Sequence, residues 1–205
     1  MLKQTLLVID DSQDIHPLVG VWLMDELIDI HSAFDGVGGL ERARAIIPDL
    51  ILLDVDMPGT NGFEVCAQLK ADPITREIPV VFLTGASDAN EKLRGLELGA
   101  IDYIIKPFDP AELRARVRVS LRTKHLLDLL AQKAVILQES EERFRVLAEN
   151  SSDIISRHNA AGEYQYVSPA AQTVLGYDPQ ELMGRPLSVF IHPDQAALVE
   201  VWQEA

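Results

Sequence analysis

The chain is predicted to be an α/β protein built on a doubly wound parallel sheet, followed by a long helix and part of a second domain. Two observations carry this expectation. Short uninterrupted apolar runs alternate with segments whose apolar residues keep helical spacing, the pattern of parallel strands covered on both faces. Each strong run also ends on a polar residue, and right-handed crossovers bring all such ends to one rim.

The elements follow in order. "TLLVID" (5–10) is the first strand, and Ile15, Leu18, Val19, Trp22 and Leu23 space the helix after it. "DIHSA" (29–33) is a weaker second strand, followed by a helix carrying Leu40, Ala43 and Ile47. "LILLD" (50–54) is the third strand, with Phe63, Cys66 and Leu69 on the next helix. Between them, Gly59 and Gly62 suit a tight return, because glycine tolerates positive φ. "VVFLT" (80–84) and "DYIIK" (102–106) complete a five-stranded sheet, and Leu113, Val117 and Leu121 start the fifth helix.

That helix has no proline or glycine from Ala111 to Ala148. Leu127, Leu130, Ala134, Leu137, Phe144 and Ala148 fall in alternating steps of three and four, interrupted at Glu141, as in a short coiled-coil seam. Leu126, Leu129, Lys133 and Ile136 form a rival register. The expectation is a dimeric linker helix, with His125 a solvated passenger on it.

The chain has 205 residues, 47% hydrophobic and 24% charged, with a formal net charge of −14. This composition suits a packed chain and disfavours a nucleic-acid or anionic-membrane surface. No apolar run reaches a membrane-spanning length, and the N-terminus lacks a signal-peptide layout. The expected location is cytoplasmic. Cys66, the single cysteine, reads as a small buried helix residue.

The rim holds the chemistry. Asp10, Asp11, Asp54, Thr84 and Lys106 stand at strand ends, where open α/β sheets bind ligands. Three carboxylates brought together there repel one another unless a cation joins them. A hard divalent ion such as Mg²⁺ answers that need. Lys106 and Thr84 supply an ammonium and a hydroxyl for anionic phosphoryl oxygens, and a carboxylate can serve as nucleophile. Taken alone, Asp10 and Asp11 could equally cap the next helix; the company of the other strand-end residues favours a site.

The acidic pair at 10 and 11, "LLDVDMPGTNG", "FLTG" and "YIIKPF", in that order, resemble a bacterial response-regulator receiver domain. The resemblance implies a flavodoxin-like strand order 2-1-3-4-5, a receiver spanning 1–122 and Asp54 as phosphoacceptor. It also implies Mg²⁺ held by Asp11, Asp54 and the backbone carbonyl of Asp56, with Asp10 acting from behind the ligands. Thr84 and Lys106 would grip phosphoryl oxygens, Thr84 and Tyr103 would form the switch, and the Lys106–Pro107 bond is expected cis. Asp56 itself departs from the commoner neutral or basic choices at that position.

The segment from Glu139 on, with "DIISRHNAAGEYQYVS" read as a hairpin turning at Gly162, "PAAQTVLGYDPQELMGRPL" and "IHPDQ", resembles the N-terminal part of a PAS domain. The expected layout is a linker over 123–142 and a truncated PAS domain over 143–205, its ligand unassigned. His158 and His192 are read as structural. The implied partners are a cognate histidine kinase or phosphotransfer protein and a second copy of the chain, joined through receiver and linker. "DPAELRARVRVSLRTKHLLDLLA" resembles receivers attached to diguanylate cyclases. A hybrid sensor histidine kinase and a non-enzymatic phosphate sink or scaffold are the alternatives.

Overall fold

In a computed structural model, which describes residues 3–85 and 89–190, the chain divides into two compact units, Met1–Leu130 and Ala131–Ala205. The first is a five-stranded parallel sheet in the order β2-β1-β3-β4-β5. Its strands are β1 (Gln4–Ile9), β2 (Ile28–Ala33), β3 (Leu50–Asp54), β4 (Val80–Thr84) and β5 (Asp102–Ile105). Between them run α1 (Ile15–Trp22), α2 (Gly36–Ile46), α3 (Gly62–Ala71) and α4 (Ala89–Glu97), and α5 (Pro110–Glu149) follows β5. The expected class and strand order are present. Asp10 and Lys106 stand one residue beyond their strands rather than inside them.

Why the central strands read as unbroken apolar runs is plain from the two cores. Alternate residues of β1, β3 and β4 feed opposite faces of the sheet. One core gathers Leu7, Ile9, Leu53 and Phe82 with Phe63, Cys66 and Leu69 of α3. The other gathers Leu6, Val8, Leu52 and Leu83 with Val19 of α1 and Leu113, Val117 and Leu121 of α5. Ile47 differs from its expected place on α2. It caps the helix at φ 45° and is exposed, because the Pro48 that follows disfavours another α-helical residue before it.

In the second unit, β6 (Ser156–His158) and β7 (Tyr164–Val167) form the expected antiparallel hairpin, with Gly162 at φ 77°. Helices α6 (Ala170–Leu175) and α7 (Pro179–Leu182) and a 3-10 turn at Leu187–Phe190 follow. Asp178 and Glu181 close a reciprocal capping box on α7. A small core joins Tyr164, Val167, Ala171 and Leu182, with Ile154, Leu187 and Phe190 packed against it. The last turns of α5 belong to this unit: Phe144 packs edge-on against Tyr166, ring centroids 5.4 Å apart, and Ala148 is fully buried. Ala148 is thus spent inside the unit, whereas Phe144, although its ring meets Tyr166, stays exposed along with Leu126, Leu127, Leu129, Leu130, Ile136 and Leu137. "IHPDQ", including His192, lies outside the described residues. Among the described residues no helix is long and apolar enough to cross a membrane.

Candidate phosphoacceptor site

Strand register builds the rim. Ile9 pairs with Leu53, so Asp10 and Asp54 come next on their strands at one level. Asp54 pairs with Leu83 and Thr84 with Ile105, so Thr84 and then Lys106 stand successively further out. The Lys106 N–H donates to the Thr84 carbonyl at 2.7 Å, and the Lys106–Pro107 bond is cis. The loop after β3 returns tightly: Gly59 has φ 85°, Asn61 caps α3 by accepting from the Phe63 N–H at 2.8 Å, and the Gly62 N–H donates to the Val55 carbonyl at 3.0 Å.

Lys106 is the hub. Its Nζ donates to Asp10 Oδ2 at 2.7 Å and lies 2.9 Å from Asp54 Oδ1. The second approach is an ion pair off the hydrogen-bond direction, so Asp54 Oδ1 has no hydrogen-bond partner among the described residues. Asp10 is 0% exposed and Asp54 4%. Asp10 Oδ1 accepts from the Ser12 N–H at 2.9 Å. Asp11 is exposed. Each of Asp10, Asp11 and Asp54 offers an oxygen within 4.8 Å of the others.

The electrostatics follow from this crowding. Burial, with the nearby Asp10 charge adding to it, raises the Asp54 pKa above the ordinary carboxylate value, against the pull of Lys106 and the Asp56 N–H. For Lys106, burial alone would lower the pKa, but its contacts with Asp10 and Asp54 outweigh burial and the net shift is upward. The one ammonium contacts two of the three clustered carboxylates, Asp10 and Asp54. An oxygen-only donor set, with one exposed carboxylate and one buried oxygen met only by the Lys106 ion pair, suits a hard divalent cation such as Mg²⁺.

Thr84 is buried and Tyr103 half-buried. Both line a narrow recess of about 10 Å³ with Val55, Phe63, Phe82 and Leu96. Asp56 is exposed. Outside the rim, Cys66 is buried and His125 exposed. His158 lies against Tyr164, ring centroids 4.5 Å apart.

One residue beside the rim was not singled out from the sequence. His16, in the first turn of α1, is buried, and its Nε2 lies 2.8 Å from the Asp10 carbonyl. Its ring rests on Phe34, centroids 4.4 Å apart. The signal was its spacing with Val19 and Leu23, which puts all three on the core side of α1.

The comparisons with known proteins agree with this architecture. The model of the response regulator receiver domain matches residues 6–118, and that of the PAS fold matches 142–205. Response regulator PleD of Caulobacter vibrioides is 42% identical over 147 residues, 72% of this chain and 32% of PleD. The chain therefore spans about a third of that relative. The DNA-binding dual master transcriptional regulator RpaA of Synechocystis is 34% identical over 195 residues, covering 86% of this chain and 79% of RpaA. Chemotaxis protein CheY4 of Vibrio cholerae superposes with a TM-score of 0.55 at 28% identity, over 58% of this chain and 99% of CheY4. The chain belongs to the response regulator receiver family, and its second unit carries a PAS fold.

Proposed function

We propose that Asp54 is the phosphoacceptor of a two-component signalling protein, served by Lys106, Thr84, Asp10 and Asp11. The observation that carries this reading is a buried, desolvated carboxylate beside one shared ammonium, at the carboxyl rim of the sheet. A carboxylate stripped of water is a stronger nucleophile, and the rim leaves it within reach of a donor. An Asp54 oxygen forms the new bond to phosphorus while the nitrogen–phosphorus bond of a phosphohistidine breaks. The donor imidazole leaves with that electron pair. Lys106 and the Thr84 hydroxyl then hold the phosphoryl oxygens through charge-assisted hydrogen bonds. Asp11, Asp54 and the Asp56 carbonyl would hold Mg²⁺, backed by Asp10, and the ion would supply positive charge for the transferring group.

The proposed layout is receiver over 1–122, helical linker over 123–142 and PAS segment over 143–205. Partners are a histidine kinase or phosphotransfer protein, and a second copy of the chain through the receiver and the exposed apolar stretch of α5. For the output we carry the diguanylate cyclase reading, supported by the wording of α5. A hybrid histidine kinase and a phosphate sink are the readings that assays of the longer protein would separate.

The test is labelling by acetyl phosphate with Mg²⁺. A base-labile adduct is expected on the peptide containing Asp54, and Asp54→Asn should abolish it. An adduct mapped by mass to any other residue rejects the assignment.

A further inference from the structure

We infer that His16 is a positioning residue for the acidic pair, holding Asp11 in place through the backbone of Asp10. The inference rests on the phosphoacceptor reading of the rim and adds a residue to it.

The three carboxylates are not held alike. Asp10 is tied by Ser12 and Lys106, and Asp54 by its ion pair with Lys106. Asp11 has no hydrogen bond or ion pair from its side chain among the described residues, and it is exposed. Where its carboxylate sits therefore depends on its backbone, and that backbone is pinned immediately upstream. The Asp10 N–H donates to the Ala33 carbonyl at 3.1 Å. The Asp10 carbonyl, which belongs to the same peptide unit as the Asp11 N–H, faces His16 Nε2 at 2.8 Å.

The proton assignment follows from the partner. A carbonyl only accepts, so Nε2 carries the hydrogen. Nδ1 is buried with no hydrogen-bond partner among the described residues, an arrangement that ordinarily costs stability. A merely space-filling residue at this core-facing position would be better apolar. The ring is covered by Phe34, the residue after Ala33, so Ala33, Phe34, His16 and Asp10 form one closed set of contacts around the peptide that precedes Asp11. Partners that orient a metal ligand without touching the ion typically change affinity by about 10- to 100-fold when removed.

The experiment is Mg²⁺ titration of the full chain by calorimetry, with thermal melts recorded with and without Mg²⁺, on wild type, His16→Gln, His16→Phe, His16→Leu and Asp11→Ala. Glutamine keeps an N–H donor at a similar reach, phenylalanine keeps the ring without the donor, and leucine covers the case in which phenylalanine does not fold. The expected result is Mg²⁺ binding weakened about tenfold in His16→Phe or His16→Leu and restored to within about threefold of wild type in His16→Gln. A folded His16→Phe or His16→Leu that binds Mg²⁺ as wild type does, whatever its metal-free melting temperature, overturns the inference alone. Mg²⁺ binding that is undiminished in Asp11→Ala rejects the rim as the metal site, and the role of His16 falls with it.

Discussion

Lys106 and Cys66 show two outcomes of burying an ionisable group. Lys106 stays charged because two carboxylates offset the loss of water. Cys66 has no such partner, and burial pushes its thiol from 9.0 up to about 11, only slightly countered by Lys70. The folded chain therefore holds a proton that the unfolded chain releases above about pH 9. Stability from this group is fully present below pH 9 and falls as pH rises towards 11, by roughly 2 to 3 kcal/mol over that window. Chemical denaturation between pH 8 and 11 should show this loss, and Cys66→Ala should flatten it; an unchanged slope in that variant would assign the loss to other groups. The rim carboxylates, Thr84 and Lys106 were legible in the sequence because a charged or hydroxyl residue ending an apolar run has few places to go. His16 was not, since a histidine at a core-facing helical position looks the same whether it fills space or holds a peptide.

At the level of elements, glycine placement separates two kinds of position. A Cβ on Gly62 would lie 2.1 Å from the Asp54 carbonyl oxygen, a clash with backbone that no rotamer relieves. Gly62→Ala should destabilise the first unit by about 3 kcal/mol or more and blunt labelling of Asp54, because the return loop sits directly on the acceptor strand. Gly20, inside α1, has nothing within 4 Å of the same added atom. Gly20→Ala should stabilise by about 0.5 to 1 kcal/mol, read from denaturant midpoints. The strands were readable as elements because burial on both faces leaves continuous apolar runs. The end of α2 at Ile47 turned on Pro48, whose steric effect overrides the apolar spacing. The division of the long seam was less visible, because Phe144 and Ala148 have the same periodicity whether they meet a second helix or the β6–β7 hairpin.

For the whole molecule, the exposed registers on α5 differ by one residue, Leu126, Leu129 and Ile136 against Leu127, Leu130 and Leu137. Pairing through one rather than the other turns each helix by about 100° about its own axis. We expect phosphorylation, which adds roughly −1.5 to −2 charge beside Thr84 and Lys106, to shift paired chains between these registers. Spin labels at Lys133, measured between copies with and without beryllofluoride, should change separation; unchanged distances with Asp54 occupied would leave the helix a passive tether. The two cores of the receiver limit how such a signal can travel. The recess shared by Thr84 and Tyr103 opens among the residues of one core, whereas Leu113, Val117 and Leu121 of α5 are rooted in the other. At about 10 Å³ the recess has no room for a phenol ring until its own walls move. The sheet thus acts as a bulkhead between the two cores: repacking around the recess reaches the helix root through the main chain of β4 and β5, or past it at the sheet edge, where Asp102, which also lines the recess, holds Arg116 of α5 at 2.6 Å.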